Sequence, residues 1–534
     1  MGILTLLTLL PLLGAILVLF MPEGNGRMPK IVAISAAVAT FAVAVLGVLP
    51  SFFPDGSRRF LFEERLSWLP QLGISYHVGV DGISVWLVVL TALLTLVALA
   101  FSLYVDKRVK TYFALVLMLE TAMIGAFLSL DLVLFFTFFE ATLIPMWMLI
   151  NLWGGERRAY AANKFLIYTF AGSIFLLVGM VAVALQYQRT MGTLSFDVVD
   201  IQAAVANGSL WMKDMPLQAL LFWPFVIAFL IKCPAFPFHT WIPDTYAESP
   251  TAGPILSCAM VKLGSFGLLR FCLPLFPDAV RANLPILMGL AVAGILYGAI
   301  VAVVQTDMRR MLAYSSLSHM GFVLLGIFSL NNTGMVGGAF QQLSHGVTAG
   351  MLFLLVGYLY QRRGSTMFRD FGGLKAQMPV FATLLLIAML GGVGLPGTNG
   401  YIGESLAMYG AFATGYLGQY GLSTVFVVIA GASMVVAAAY MLYFFQQVCY
   451  GPLDNPINRR LRDLKRWEIG VAAVLAVLIL WGGLHPSTFI RPLETSVQVT
   501  REMATEPIGR RPTWTNRTND VVVLADEASE RDRG

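Results

Sequence analysis

Lys232-Cys-Pro-Ala-Phe-Pro-Phe-His239 interrupts one long apolar segment of this chain, and Gly391-Gly-Val-Gly-Leu-Pro-Gly-Thr-Asn-Gly400 interrupts another. Proline removes a backbone donor and clashes with the preceding turn, so a helix running into either stretch must break there. Inside a bilayer, freed backbone groups are tolerated only where they line protein or a water-filled cavity. Working outward, apolar stretches of roughly 18 to 25 residues recur along the chain, each long enough to cross a ~30 Å hydrocarbon core as a helix. The reading is an all-α polytopic membrane protein of about fourteen transmembrane helices, with helix seven at 217–238, helix ten at 309–329 and helix twelve at 376–413. The two breaks sit five helices apart, and matched broken helices point to an inverted-repeat transporter. Pairing helices 4–8 with helices 9–13 puts broken helix 7 opposite broken helix 12, and because five is odd the second unit is upside down relative to the first.

Composition agrees. The chain is 57% hydrophobic and 12% charged with a mean hydropathy of +0.75, whereas water-soluble domains carry about 25% charged residues. The alternating ten-residue segments of a barrel are not seen. The transmembrane domain is expected to span 1–484, with two longer external loops, Ser51 to Asp81 and Arg189 to Met215, and a polar external tail over 485–534 that includes a charged cluster from Asp526 to Arg533. Ile3 to Met21 lacks a basic leader and is expected to be retained as the first spanning helix.

Of 35 Lys and Arg residues, 19 fall in connections after odd-numbered helices and 7 after even-numbered ones, the latter including Arg58, Lys213 and Arg270. The positive-inside rule then makes the odd connections cytoplasmic and places both termini outside. The net charge of +5 reports this topology, and no clustered basic surface suggests nucleic acid as a partner. The four cysteines show no C-x-x-C spacing, so no metal, iron–sulfur or disulfide framework is expected. Without a strand-linked G-x-G-x-x-G or a Walker sequence, the chain is expected to carry no nucleotide site and no redox centre.

Only Lys232 and Lys262 lie in the middle of long apolar segments. A lysine at the centre of a spanning helix costs about 2.5 to 3.5 kcal/mol on insertion scales, which makes it a functional-site hypothesis by default. Central Glu120, Glu140 and Glu404 and central His319 and His345 complete a set of proton-holding groups. Glu140 must be neutral or paired; Lys232 at ~4 Å would contribute up to ~4 kcal/mol at an effective dielectric near 20, and a pair that opens and closes would switch the lysine's proton affinity. Lys262 has small neighbours that leave room for water. His319 has Ser315 and Ser316 one turn back, and His345 has Gln341 and Thr348 on its own face, so both helices present a polar stripe. The bland readings are packing histidines, a satisfied structural acid at Glu120, loop capping by Asp244 and Glu248, and interfacial positions for Asp131 and Asp307.

The runs Leu134 to Pro145 (LFFTFFEATLIP), Lys232 to Pro250 (KCPAFPFHTWIPDTYAESP), Gln305 to Gly321 (QTDMRRMLAYSSLSHMG) and Leu395 to Glu404 (LPGTNGYIGE) resemble the antiporter-like proton-channel family shared by respiratory complex I and the multisubunit cation/proton antiporters. The resemblance implies the fourteen-helix inverted-repeat fold, Glu140 and Lys232 as a coupling pair, Lys262 as central carrier and Glu404 as terminal carrier. Glutamate at 404, where other branches place lysine, is similar to the M branch of the bacterial NADH:quinone oxidoreductases. That implies a proton-translocating subunit in the bacterial plasma membrane, beside L-like and N-like neighbours, with NADH, FMN, iron–sulfur clusters and quinone held by partner chains. The alternatives are a subunit of a multisubunit Na+/H+ antiporter or membrane-bound hydrogenase, and a non-conducting structural membrane subunit.

Overall fold

The computed structural model of the chain describes residues 2–22, 26–52, 59–211, 215–414, 422–515 and 518–522. Among these, eleven helices are long and apolar enough to cross a membrane: α1 (Ile3–Phe20), α2 (Arg27–Phe52), α3 (Gly82–Tyr104), α4 (Val109–Leu128), α5 (Leu132–Trp153), α6 (Arg158–Met191), α8 (Ala252–Leu275), α9 (Pro277–Val303), α11 (Asn332–Arg363), α13 (Leu422–Cys449) and α14 (Arg466–Leu484). Three further elements fall short of that test for identifiable reasons. The seventh is divided into α7a (Met215–Lys232) and α7b (Trp241–Glu248). The twelfth is divided into α12a (Pro379–Val393) and α12b (Asn399–Ala413). The tenth, α10 (Met308–Ile327), is continuous but polar, because Arg309, Arg310, Ser315, Ser316, Ser318 and His319 all lie on it. Both breaks thus stand where the prolines and glycines place them.

Among the described residues, connections after even-numbered helices gather on one face and those after odd-numbered helices on the other. On the odd face the Trp153 indole donates to Lys107 O at 2.8 Å, Gly155 N donates to Glu248 O at 2.7 Å, and Phe368 N donates to Thr306 O at 3.0 Å. On the even face the expected loop between Ser51 and Asp81 is a β-hairpin over most of its length. Its strands β1 (Leu61–Leu69) and β2 (Ile74–Val80) pair antiparallel. Apolar and polar residues alternate along Ile74-Ser-Tyr-His-Val-Gly-Val as in a strand, both faces being covered from His77 to Val80, and Gly73 turns the chain at φ +66°.

Carboxylates fasten this hairpin to the helix ends, where unpaired N–H groups and the helix dipole favour them. Glu64 accepts from Gly2 N at 3.1 Å and Leu4 N at 2.9 Å at the start of α1. Asp131 caps α5 through Val133 N at 2.9 Å and takes Ser75 N of β2 at 3.0 Å. Asp197 caps the short helix Val198–Ala206 and meets His77 Nδ1 at 2.6 Å, while Glu63 meets His77 Nε2 at 2.6 Å. Asp81 caps α3 and pairs with Arg270 at 2.7 Å. Arg270 was expected in a connection; it is instead buried at the end of α8, its charge met by that aspartate.

Beyond α14, the chain turns into an amphipathic helix, α15 (Ser487–Thr505), which buries Phe489, Leu493 and Val497 at a four-residue spacing. Phe489 packs on Trp86 of α3, with ring centroids 5.0 Å apart. The Asp526 to Arg533 cluster, Arg58 and Lys213 lie outside the described residues.

The α7a and α8 backbones approach so closely that a Cβ at Gly264 would sit 2.4 Å from Phe229 O and 2.5 Å from Cys233 N. Gly264→Ala must therefore push the two lysine-bearing helices apart, at a cost of about 1 to 3 kcal/mol. Thermal unfolding of the purified complex should shift downward, and an unchanged transition would disprove the contact. A second expectation concerns His77. Burial lowers its pKa, but the hydrogen bonds and charges of Asp197 and Glu63 outweigh burial and raise it from 6.5 to about 9. Because the folded value lies above the free one, the stabilisation is whole below pH 6.5 and is lost as pH climbs through about 9. Amide exchange across Ile74–Val80, corrected for intrinsic rate, should accelerate over that window, and His77→Asn should remove the dependence.

Candidate functional site

Lys232 is the last residue of α7a, because Pro234 and Pro237 follow in the break. Lys232 thus stands at the negative end of the helix dipole, the favoured place for a cation, while the last carbonyls are taken by other donors, Phe229 O by Cys233 N at 2.8 Å and Leu230 O by Ala235 N at 2.9 Å. Trp241 Nε1 bridges the break by donating to Ile231 O at 3.0 Å. Lys232 Nζ donates to Thr142 Oγ1 at 2.8 Å and lies 4.7 Å from the centre of the Phe139 ring. Thr142 is where α5 loses regularity, its helical runs being Leu132–Ala141 and Leu143–Trp153. Pro145 explains this, since it cannot donate to the carbonyl of Ala141.

Glu140 takes its hydrogen bond from Ser173 Oγ of α6. The expected Glu140–Lys232 ion pair is thus not formed in this structure. Two hydroxyls stand nearer to the charged atoms than the charges stand to each other, and each satisfies one partner.

The second cluster is contiguous. Lys262 is buried at the hitch in α8 between the helical runs Ala252–Met260 and Lys262–Gly267. Its Nζ lies 2.6 Å from His345 Nδ1 of α11. The His345 ring centroid is 5.7 Å from that of His319 of α10. His319 Nδ1 lies 2.6 Å from Glu404 Oε1 of α12b, and Gln341 Nε2 donates to the same oxygen at 3.1 Å. The break in the twelfth helix makes this approach possible: Gly394 and Gly397 adopt φ +72° and +93°, conformations that glycine takes without strain. A Cβ at Gly394 would stand 3.1 Å from Glu404 Oε2.

The two histidine rings share a small cavity of about 20 Å³, room for one water, lined also by Ser315, Ser344, Thr348 and Gly391. His319 Nε2, His345 Nε2, Ser344 Oγ and Gln341 Oε1 are buried without a protein partner. Buried polar atoms of this kind are ordinarily satisfied by water, which needs two to four such partners. A bound water would close the gap between the rings into a hydrogen-bonded path.

Glu120 stands apart. It is fully buried in α4 with neither carboxyl oxygen hydrogen-bonded, and no described contact joins it to either cluster. Several residues at the site were not singled out from sequence. Thr142 and Ser173 hold the charges of the first cluster; Tyr440 of α13 hydrogen-bonds Ser315 at 2.9 Å; Asn399 accepts from Thr348 at 3.2 Å. Thr142 lies two residues after Glu140 and was open to recognition. Tyr440 carries no local signal, because only the packing of α13 brings it to α10.

The transmembrane family model described as NADH:quinone oxidoreductase/Mrp antiporter matches residues 129–432, which contain Glu140, both lysines, both histidines and Glu404. NADH-quinone oxidoreductase subunit M of Rickettsia prowazekii is 39% identical over 501 residues, covering 93% of this chain and 98% of that protein. Its namesake from Rhodobacter capsulatus is 38% identical over 493 residues, covering 91% and 94%. A chain of respiratory complex I from Thermus thermophilus superposes with a TM-score of 0.82 at 30% identity, covering 94% of this chain and 99% of that one. A chain of the Mrp complex from Dietzia sp. has the same fold, with a TM-score of 0.80 at 21% identity. The chain belongs to the NADH:quinone oxidoreductase/Mrp antiporter transmembrane family and, within it, to the subunit M branch of the NADH-quinone oxidoreductases.

Proposed function

We propose that this chain moves protons across the membrane along the line Lys262, His345, His319, Glu404, driven by quinone reduction in another part of an NADH:quinone oxidoreductase. The observation that carries the reading is the spacing of that line, with contacts of 2.6 Å at each end and histidine rings 5.7 Å apart between them. Lys262 is the central carrier and Glu404 the terminal one. Each histidine offers one nitrogen to a charged neighbour and keeps the other free toward the shared cavity, the arrangement a proton shuttle needs.

Glu140 and Lys232 form the coupling switch. In this structure the pair is open, each side chain holding a hydroxyl. A closed ion pair at ~4 Å is worth up to ~4 kcal/mol at an effective dielectric near 20, while two hydrogen bonds to charged groups contribute about 1.5 to 3 kcal/mol each. The two arrangements are near balance, so a modest change in local field selects between them. Closing the pair holds the Lys232 charge and alters the proton affinity of Lys262.

The same reading makes residues 1–484 the translocating domain, with fourteen crossings and helices 4–8 and 9–13 as inverted units. The termini lie outside a bacterial plasma membrane, L-like and N-like subunits flank the chain, and NADH, FMN, iron–sulfur clusters and quinone are bound by partner chains. Glu120 serves as an auxiliary acid beside the line rather than a member of it.

His319→Ala in the assembled complex should lower the protons transferred per quinone reduced, because it removes the bridge between His345 and Glu404. Glu404→Gln should do the same with the bridge in place. Parental ratios in both variants would refute the line. For the switch, Lys232→Ala and Glu140→Gln should each reduce transfer, and Glu140→Asp should retain part of it; normal coupling after both removals would leave the pair without a role.

A further inference from the structure

Asp244, in α7b, receives two cations from different helices. Lys164 of α6 meets its Oδ2 at 2.8 Å, and Arg310 of α10 meets its Oδ1 at 3.0 Å. A second attachment lies at the C-terminal end of α7b, where Arg309 Nη1 donates to Ser249 O at 3.2 Å and Nη2 donates to Thr251 Oγ1 at 3.0 Å. The first of these donors satisfies a carbonyl that the helix end leaves unpaired, and the second takes a hydroxyl just beyond it. A third attachment joins α7b to the start of α6, because Glu248 Oε2 accepts from Arg157 N at 3.0 Å.

The eight-residue α7b is therefore a separate rigid piece between two lysines. The break sets it off from Lys232, and a single connection leads from it to α8 and Lys262. Its outward links run to α6, which supplies Ser173 to Glu140, and to α10, which supplies His319 to Glu404. Arg310 and His319 share one continuous helix, about 13.5 Å apart at 1.5 Å per residue, so a displacement of Arg310 is carried to the imidazole with little loss.

We propose that Asp244 is a positioning residue whose forked ion pair transmits the state of the Glu140–Lys232 switch through α7b to α10, and so sets the contact of His319 with Glu404. An ion pair near the protein surface is ordinarily worth little stability, and stability is not the role assigned here. One carboxylate shared between helices of the two units keeps α6, α7b and α10 in register. When Lys232 changes partner, the end of α7a moves against the break, α7b follows, and Asp244 carries Lys164 and Arg310 with it. This inference rests on the proton line proposed above.

The test compares Asp244→Asn, Asp244→Glu, Lys164→Met and Arg310→Gln, in assembled complex. Quinone reduction and proton transfer are measured together, with Glu404→Gln as reference. Asp244→Asn is expected to keep quinone reduction while protons per quinone fall toward the Glu404→Gln value. Asp244→Glu should recover at least half of the loss, and each single-arm variant should lose part. If Asp244→Asn assembles poorly, the single-arm variants carry the decision. A parental ratio in Asp244→Asn or in both single-arm variants overturns the proposal, as does an equal fractional fall of reduction and transfer. If Glu404→Gln lowers the ratio and the Asp244 set does not, the clamp alone fails; if Glu404→Gln is also parental, the proton line fails with it.

Discussion

A charged or polar side chain at membrane depth has no water to fall back on, and this constraint organises the molecule. An isolated buried charge is so costly that it must be paired, hydrogen-bonded or neutralised. The chain meets the requirement by turning its polar groups toward one another. Lys262 finds His345, Glu404 finds His319 and Gln341, Lys232 finds Thr142 and the Phe139 ring, and Glu140 finds Ser173. Two of these partners are imidazoles, which can give and take a proton, so the arrangement that satisfies the interior also fits the proposed proton line.

Breaking two helices follows from the same requirement. A continuous helix offers only side chains to a buried charge, because its backbone groups are used internally. Ending α7a at Lys232 puts the ammonium at the negative end of a helix dipole, and opening the twelfth helix at Gly394 and Gly397 clears space beside Glu404. The prolines and glycines of the breaks and the charges next to them are thus one device. The close approach at Gly264 serves it too, by holding the helices that bear Lys232 and Lys262 in backbone contact.

Much of this was legible in the sequence, for reasons that also explain what was not. Proline and glycine act locally, so both breaks stand where the residues put them. A lysine or glutamate in an apolar run announces itself, and six of the seven candidate residues fall into the two clusters. Which partner a buried charge chooses depends on a few ångströms of packing, and no spacing rule encodes that. Glu140 and Lys232 therefore hold hydroxyls rather than each other, and Glu120 has no link to the line. Averages also conceal periodicity. The tail from 485 onward reads as polar by composition, yet Phe489, Leu493 and Val497 make one apolar stripe on α15. The connection from Ser51 to Asp81 is too polar for a span, yet apolar and polar residues alternate from Ile74 to Val80 as in a strand.

Distance decides how the parts can communicate. Two unit charges ~10 Å apart at an effective dielectric near 20 interact by about 1.7 kcal/mol, roughly a tenfold change in proton affinity. That suffices for one site to bias its neighbour, but the influence fades by half with each doubling of separation and further wherever water enters. Making or losing one hydrogen bond at a charged group changes the energy by a similar 1.5 to 3 kcal/mol, and does so at full strength wherever it occurs. A signal that must pass from Glu140 to Glu404 is therefore carried better by successive exchanges of partner than by one long-range field. The structure supplies the pieces for such exchanges: hydroxyls beside the first pair, a half-helix held by ion pairs to α6 and α10, and two histidines with one nitrogen each left open. Each step then needs only to tip a local balance, and the spacing between steps can stay within reach of a single side chain or a single water.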